Sequence, residues 1–247
     1  MKRGENGGLS PLKIGFFGGF SGSGTSFLAS VLANRVLSLN FNPCVLEFGN
    51  SRLYDSLGMD KHFAEGDFFP FQKYILKGRS VQGLTNLYEG INWCLRTPAE
   101  RGLAPGFREK LRLLQSMQGD LMICDFSGVE MGTSEWEDNW RLLWEMDRIV
   151  VVLDPLPSRM LPSAELVARL RGGFLPVEYV INRWNRGVDS RTVLSFFQLA
   201  DPVLFPFLDP SVIYSAEYGC RFVWDIPDVR CQLAGPSDLL CERLGLA

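Results

Sequence analysis

Apolar residues in this chain fall into short unbroken runs, separated by longer stretches in which they recur every three or four positions. The runs Leu12 to Phe17, Pro43 to Phe48, Leu121 to Cys124, Arg148 to Leu153, Val177 to Ile181 and Val203 to Phe207 read as strands. Gly90 to Leu95 is a further candidate, reached through a long aromatic-rich segment from Ser51 to Tyr88. A continuous apolar run suits a strand covered on both faces, and the Ile-Val-Val-Val-Leu stretch ending at Leu153 suits the centre of a parallel sheet. Helical spacing marks Phe27 to Leu39, Phe107 to Met117 and Pro162 to Arg171, the last stopped by Gly172-Gly173. Ser134 and Glu137 are spaced as a capping box, which predicts a helix from there to about Glu145. Strand and helix therefore alternate. That pattern predicts an α/β fold with a doubly wound, mainly parallel sheet, helices on both faces, and ligand at the carboxyl ends of the strands. Residues 1–11, polar and glycine-rich, read as a flexible tail. Residues 12–247 read as a single domain, with no internal repeat or linker.

Composition narrows the function classes. Hydrophobic residues make up 46% of the 247, enough for a substantial core, so intrinsic disorder is not expected. A formal net charge of −3 gives no global attraction to nucleic acid or anionic lipid. No apolar run approaches the ~20 residues that span a bilayer, and the first residues hold no hydrophobic secretory segment. A cytoplasmic location is the expectation. The six cysteines form no C-x-x-C pair, and the lone histidine, His62, leaves little room for histidine catalysis or zinc ligation. Cys44 and Cys124 read as small apolar residues of core strands.

Candidate chemistry begins with Gly18-Gly19-Phe20-Ser21-Gly22-Ser23-Gly24-Thr25-Ser26. The phosphate-loop pattern G-x-x-x-x-G-K-[ST] fits from Gly19 to Ser26, except that Thr25 stands where lysine belongs. The strand–loop–helix context is right for backbone N–H groups to cradle an anion at a helix N-terminus. Gly19, Ser21, Gly22, Ser23, Gly24, Thr25, Ser26 and Phe27 are the candidate phosphate-binding residues, and the other reading is glycines serving only tight packing. Ser26 is a candidate Mg²⁺ ligand, as is Asp125, which heads Asp125-Phe126-Ser127-Gly128 at the end of an apolar strand. A carboxylate satisfied by nearby N–H groups at a turn is the plainer reading of Asp125. Asn182 and Arg183 follow another strand; asparagine offers an acceptor and a donor suited to a purine edge, although such a pair after a strand is often a turn.

The order of these features resembles the ParA/MinD-type ATPases, the deviant-Walker (SIMIBI) branch of P-loop proteins. The resemblance rests on the loop at 18–26, the strand ending near Glu47, Asp125-x-x-Gly128 and Val150 to Pro155. It extends through Asn182-Arg183 to Pro206 with Asp209-Pro210-Ser211-Val212, and spans about residues 12 to 224. The Gly-Thr-Ser ending of the loop is most similar to the CpaE/TadZ-like pilus-localisation branch, in which threonine can replace the loop lysine. The resemblance implies a bacterial protein that binds ATP or ADP with Mg²⁺, Pro206 at the base, protein partners and a possible homodimer. It also exposes departures. The family's second lysine, which reaches across a dimer, is matched here by Phe20, and the switch I aspartate by Gly49, two residues after Glu47. Three groups that aid hydrolysis are absent together, so nucleotide binding with weak or no turnover is expected, in a positioning, assembly or regulatory role. The alternatives are an active ATPase with a non-standard catalytic residue, for which Arg52 after the second strand is a candidate, and a nucleotide-free interaction scaffold.

Other features have plainer readings. Asp67 to Phe71 reads equally as an exposed contact surface or as a cap on the sheet. Trp136, Trp140 and Trp144, four apart, are expected to share a buried helix face. Arg79, Arg96, Arg101 and Arg108 are expected on a solvated surface. Leu239 to Leu246 lacks the basic amphipathic character of a membrane anchor.

Overall fold

A computed structural model describes residues 10–64, 67–173 and 175–247. Most of the expected tail, residues 1–9, lies outside them. The chain runs β1 (Leu12–Gly18), α1 (Thr25–Leu37) and β2 (Pro43–Glu47), then three short helices, α2 (Leu53–Ser56), α3 (Met59–His62) and α4 (Phe71–Leu76). A two-residue β3 (Leu87–Tyr88) turns into β4 (Ile91–Cys94), followed by α5 (Phe107–Ser116), β5 (Leu121–Asp125), α6 (Ser134–Leu142) and β6 (Arg148–Leu153). The remainder is α7 (Pro157–Arg171), β7 (Val177–Trp184), α8 (Ser190–Phe197), β8 (Val203–Pro206), α9 (Pro210–Tyr218) and α10 (Pro227–Leu244).

All eight strands form one sheet in the order β3-β4-β2-β5-β1-β6-β7-β8, parallel except for β3. Alternation along each strand divides the interior in two. Ile14, Phe16, Val45, Ile123, Val150 and Val152 face the layer containing α1 and α10. Phe17, Leu46, Met122, Ile149, Val151 and Leu153 face the layer containing α5, α6 and α7. Helices thus cover both faces, which is why these strands carry no polar alternation.

The boundaries differ from expectation in several places. Thr133, one residue earlier than the expected cap, accepts from the Trp136 N–H at 3.2 Å and opens α6. α7 starts at Pro157, whose ring suits the first helical position, and runs through Pro162. β7 continues past Ile181 through Asn182 and Arg183 to Trp184, with an irregularity in its pairing to β8. The Leu239–Leu246 stretch is the end of the 18-residue α10. Among the surface readings, Phe68 and Phe71 are buried, so Asp67–Phe71 covers the sheet edge. Trp136 is buried and stacks on Trp140 at 5.0 Å, whereas Trp144 lies in a following 3₁₀ turn, where the helical phase is lost, and is 58% exposed. Arg96, expected at the surface, is buried. The six cysteines are free thiols, all but Cys231 buried. No helix among the described residues is long and apolar enough to cross a membrane.

Candidate functional site

Because β1 lies between β5 and β6, the glycine-rich loop emerges at the carboxyl edge near the middle of the sheet. The Gly19 N–H donates to the Val152 carbonyl at 2.9 Å, carrying the β6 ladder into the loop. A Cβ on Gly19 would come within 2.7 Å of Ser163 and 2.9 Å of Leu153, so this glycine is required for packing against α7. Gly22 and Gly24 have φ of +78° and +91°, a conformation that other residues adopt only at a cost. Gly22 faces open space, but a Cβ on Gly24 would stand 2.1 Å from Asn182 Nδ2. Gly24 is also the N-cap of α1, with no side-chain cap and no acidic residue in the first turn. The N–H groups of Thr25, Ser26 and Phe27 therefore keep the partnerless donors and positive potential that favour an anion. Ser21 and Gly22 are exposed, while Ser23 and Thr25 turn beneath the loop, where their hydroxyl oxygens lie 2.9 Å apart.

The two candidate metal ligands come together through a third residue. Ser26 Oγ and Ser127 Oγ are 2.7 Å apart, and the Ser127 N–H donates to Asp125 Oδ1 at 3.0 Å. Asp125 is fully buried and its Oδ2 has no hydrogen-bond partner. Burial pushes its carboxyl above the usual carboxylate range, opposed by the nearby hydroxyls of Ser26, Ser127 and Ser51 and by the Ser127 N–H. Beside it, in register across β2 and β5, stands Glu47. Glu47 Oε2 accepts from the Arg96 N–H at 2.9 Å, while Oε1 is buried without a partner. Burial, opposed by that N–H and reinforced by the Asp125 charge, pushes Glu47 up to about 8. A hydroxyl and a carboxylate oxygen lacking a partner, in one hydrogen-bonded cluster, are a donor set that fits a hard cation such as Mg²⁺.

This arrangement makes stability depend on pH. Because Glu47 holds its proton more tightly in the folded chain than in the unfolded one, its contribution is fully present below about pH 4.5 and is lost as pH rises to about 8. Glu47→Gln is expected to flatten the fall in melting temperature between pH 5 and 8 by an amount on the order of 5 °C. Identical slopes for the two proteins would show that Glu47 does not titrate in this window.

The segment after β2 is tied to the segment after β5. Phe48 and Gly49 N–H groups donate to the Asp125 carbonyl at 2.8 and 3.0 Å, and the Asn50 N–H donates to the Ser127 carbonyl at 2.8 Å. Arg96 Nη1 donates to the Gly49 carbonyl at 3.0 Å and to Asn50 Oδ1 at 2.8 Å. Gly49 has no space for a side chain: a Cβ there would lie 1.9 Å from the Ser127 carbonyl oxygen.

Gly24, Ser26, Phe27, Asn182, Arg183 and Pro206 line one cleft of about 460 Å³, with Arg52 on its wall. Gly19, Phe20 and Ser21 border a separate cavity of about 700 Å³ on the α6–α7 side. Phe20 is 37% exposed, with the Arg159 guanidinium 5.7 Å from its ring centroid. Asn182 binds inward rather than turning the chain. Its Nδ2 donates to the Ser23 carbonyl at 2.9 Å, and its Oδ1 accepts from the Arg183 N–H at 2.9 Å. Arg183, with φ +61°, reaches the buried Asp154, which also binds Arg159 at 2.6 Å. Ser127, Ser51 and Arg96 were not among the residues expected at this site. Ser127 was visible inside the D-x-x-G stretch, whereas Ser51 and Arg96 join only through the sheet.

No protein-family model and no curated protein matches the sequence. Solved structures share its fold. A plasmid partition protein from Borrelia burgdorferi bound to AMPPNP superposes with a TM-score of 0.71 at 13% identity, over 95% of this chain and 100% of that one. The septum site-determining protein MinD from Pyrococcus horikoshii, complexed with Mg-ADP, gives 0.73 at 12% identity, over 94% and 96%. A chain of the MinC:MinD cell division complex of Aquifex aeolicus gives 0.65 at 13% identity, over 94% and 96%. The structural neighbours of this chain are thus ParA/MinD P-loop ATPases, and the eight-stranded sheet has their fold.

Proposed function

We propose that this chain is a nucleotide-binding protein of ParA/MinD type, holding ATP or ADP with Mg²⁺ and turning it over weakly or not at all. Its role in this reading is positioning, assembly or regulation, exercised through other proteins or a second copy of itself. The Gly-Thr-Ser loop ending favours the CpaE/TadZ-like branch, and with it a bacterial, cytoplasmic setting. The N–H groups opening α1, with Gly22 and Gly24, would take the phosphates. Ser26 and Asp125 would hold Mg²⁺, whose chemistry is to neutralise phosphate charge. Pro206 and the cleft beside Asn182 would take the base. Neighbours solved with AMPPNP and Mg-ADP support this placement. The MinC:MinD complex supports the expectation of a protein partner.

The contact at Gly49 carries the low-turnover reading. A P-loop protein needs a group that orients attacking water, and the Ser127 carbonyl occupies the space where a side chain at position 49 would begin. With Thr25 and Phe20 in the two lysine positions, backbone donors remain to bind phosphate, while the charges that would stabilise the transition state are missing.

ATP with Mg²⁺ is expected to raise the melting temperature by a few degrees at ligand concentrations about a hundredfold above Kd. Phosphate release is expected to stay at background. An unmoved melting temperature would remove nucleotide binding and favour the scaffold reading, for which the buried Ser23–Thr25 hydroxyl pair is the supporting observation. Release above background that Asp125→Ala abolishes would make the protein a working ATPase.

A further inference from the structure

We infer that Arg52 supplies the phosphate-binding charge that the loop, lacking its lysine, does not, so that nucleotide is gripped between the loop and the segment after β2. The inference rests on the nucleotide reading above. Three arginines line the cleft that holds Gly24 and Ser26: Arg52, Arg183 and Arg221. Arg183 is held by the buried Asp154, and Arg221 donates to Ser215 Oγ at 3.3 Å. Arg52 is exposed, and among the described residues its side chain has no hydrogen bond, ion pair or ring contact. Glu217 lines the same cleft and forms no ion pair with it.

The backbone that carries Arg52 is fixed on both sides. Asn50 donates to the Ser127 carbonyl, the Leu53 N–H donates to Ser51 Oγ at 3.5 Å, and Leu53 is buried in the core. An arginine whose Cα is anchored and whose head is without a partner keeps its forked donors available to a ligand in the cleft. That fork matches phosphate oxygens in a bidentate pair, which a point-charge lysine does not form. Moving the charge from the loop to this segment has a consequence. Affinity gained from phosphate depends on Arg52, and affinity gained from the base does not.

Titration calorimetry of the full chain with ATP·Mg²⁺ and with adenosine tests this. Arg52→Ala is expected to weaken ATP binding tenfold or more, with adenosine binding and the ligand-free melting temperature unchanged. Arg52→Lys is expected to fall between the two. Adding Thr25→Lys to Arg52→Ala is expected to restore ATP binding, because the loop regains a cation of its own. ATP binding by Arg52→Ala within twofold of the unaltered chain would overturn the assignment. An equal loss for adenosine would also overturn it, by placing Arg52 at the base. Failure of the unaltered chain to bind ATP would overturn the nucleotide reading itself, and this inference with it.

Discussion

Introducing the carboxylate that the switch segment lacks, by Gly49→Asp, is expected to destabilise the protein by about 3 kcal/mol or more instead of raising hydrolysis. The Cβ alone would sit 1.9 Å from the Ser127 carbonyl oxygen and 2.8 Å from the Phe126 carbonyl carbon. Relief requires the two segments to part, breaking the N–H donations from Phe48, Gly49 and Asn50 to the Asp125 and Ser127 carbonyls. The new charge would also enter a region already holding Asp125 and Glu47, both buried, each with one oxygen lacking a partner. Urea unfolding of Gly49→Ala and Gly49→Asp separates the two costs. Alanine carries the clash, and aspartate adds the charge. A folded Gly49→Asp protein with an unchanged midpoint and measurable phosphate release would show that the segments part readily, and would remove the main support for low turnover.

Arg96→Ala is expected to cost about 3–5 kcal/mol and to lower the melting temperature by roughly 10 °C. The guanidinium is 4% exposed and joins the carbonyls of Gly49 and Leu103 to Asn50 Oδ1 and, at 3.4 Å, to Glu135. Truncation leaves the buried Gly49 carbonyl and the half-buried Leu103 carbonyl and Glu135 carboxylate without this donor. It also leaves Glu135 with Asn50 Nδ2 at 3.5 Å and the Lys110 ammonium 3.8 Å away, which burial pushes down to about 8. Calorimetric melting of Arg96→Ala and Arg96→Lys measures the effect. Lysine keeps the charge but cannot fork to several acceptors, so only part of the loss should return. A melting temperature within 2 °C or so of the unaltered chain would mean that the network adds little to folding.

The strands were legible because burial on both faces demands continuous apolar runs, a local signal that survives without any knowledge of partners. Arg148–Leu153 appears in the structure with its expected bounds. Helix limits were less legible where proline misleads. Pro162 reads as a start but lies within α7, and Pro236 breaks the pattern of α10, whose earlier half went unread. The phosphate loop and Asp125 were visible as contiguous motifs in the right order. The rest of the cluster is a product of register: Glu47 meets Asp125 only because β2 pairs with β5, although they are 78 residues apart. Sequence spacing likewise offered no sign that Gly49 abuts Ser127, or that Asn182 closes on the loop 159 residues before it.

The sheet ends on two short rims, the two-residue antiparallel β3 and the four-residue β8, which finishes at Pro206. Hydrogen-bonding edges this brief offer little template for strand-to-strand growth, and proline has no amide hydrogen to contribute. A polymer of this protein built by strand addition therefore has almost no starting edge. Ordered self-assembly would have to use side chains on the helical layers or around the carboxyl edge, where surface charge and a bound ligand can switch contacts on and off. Continuous cross-strand pairing, once begun, offers no such control.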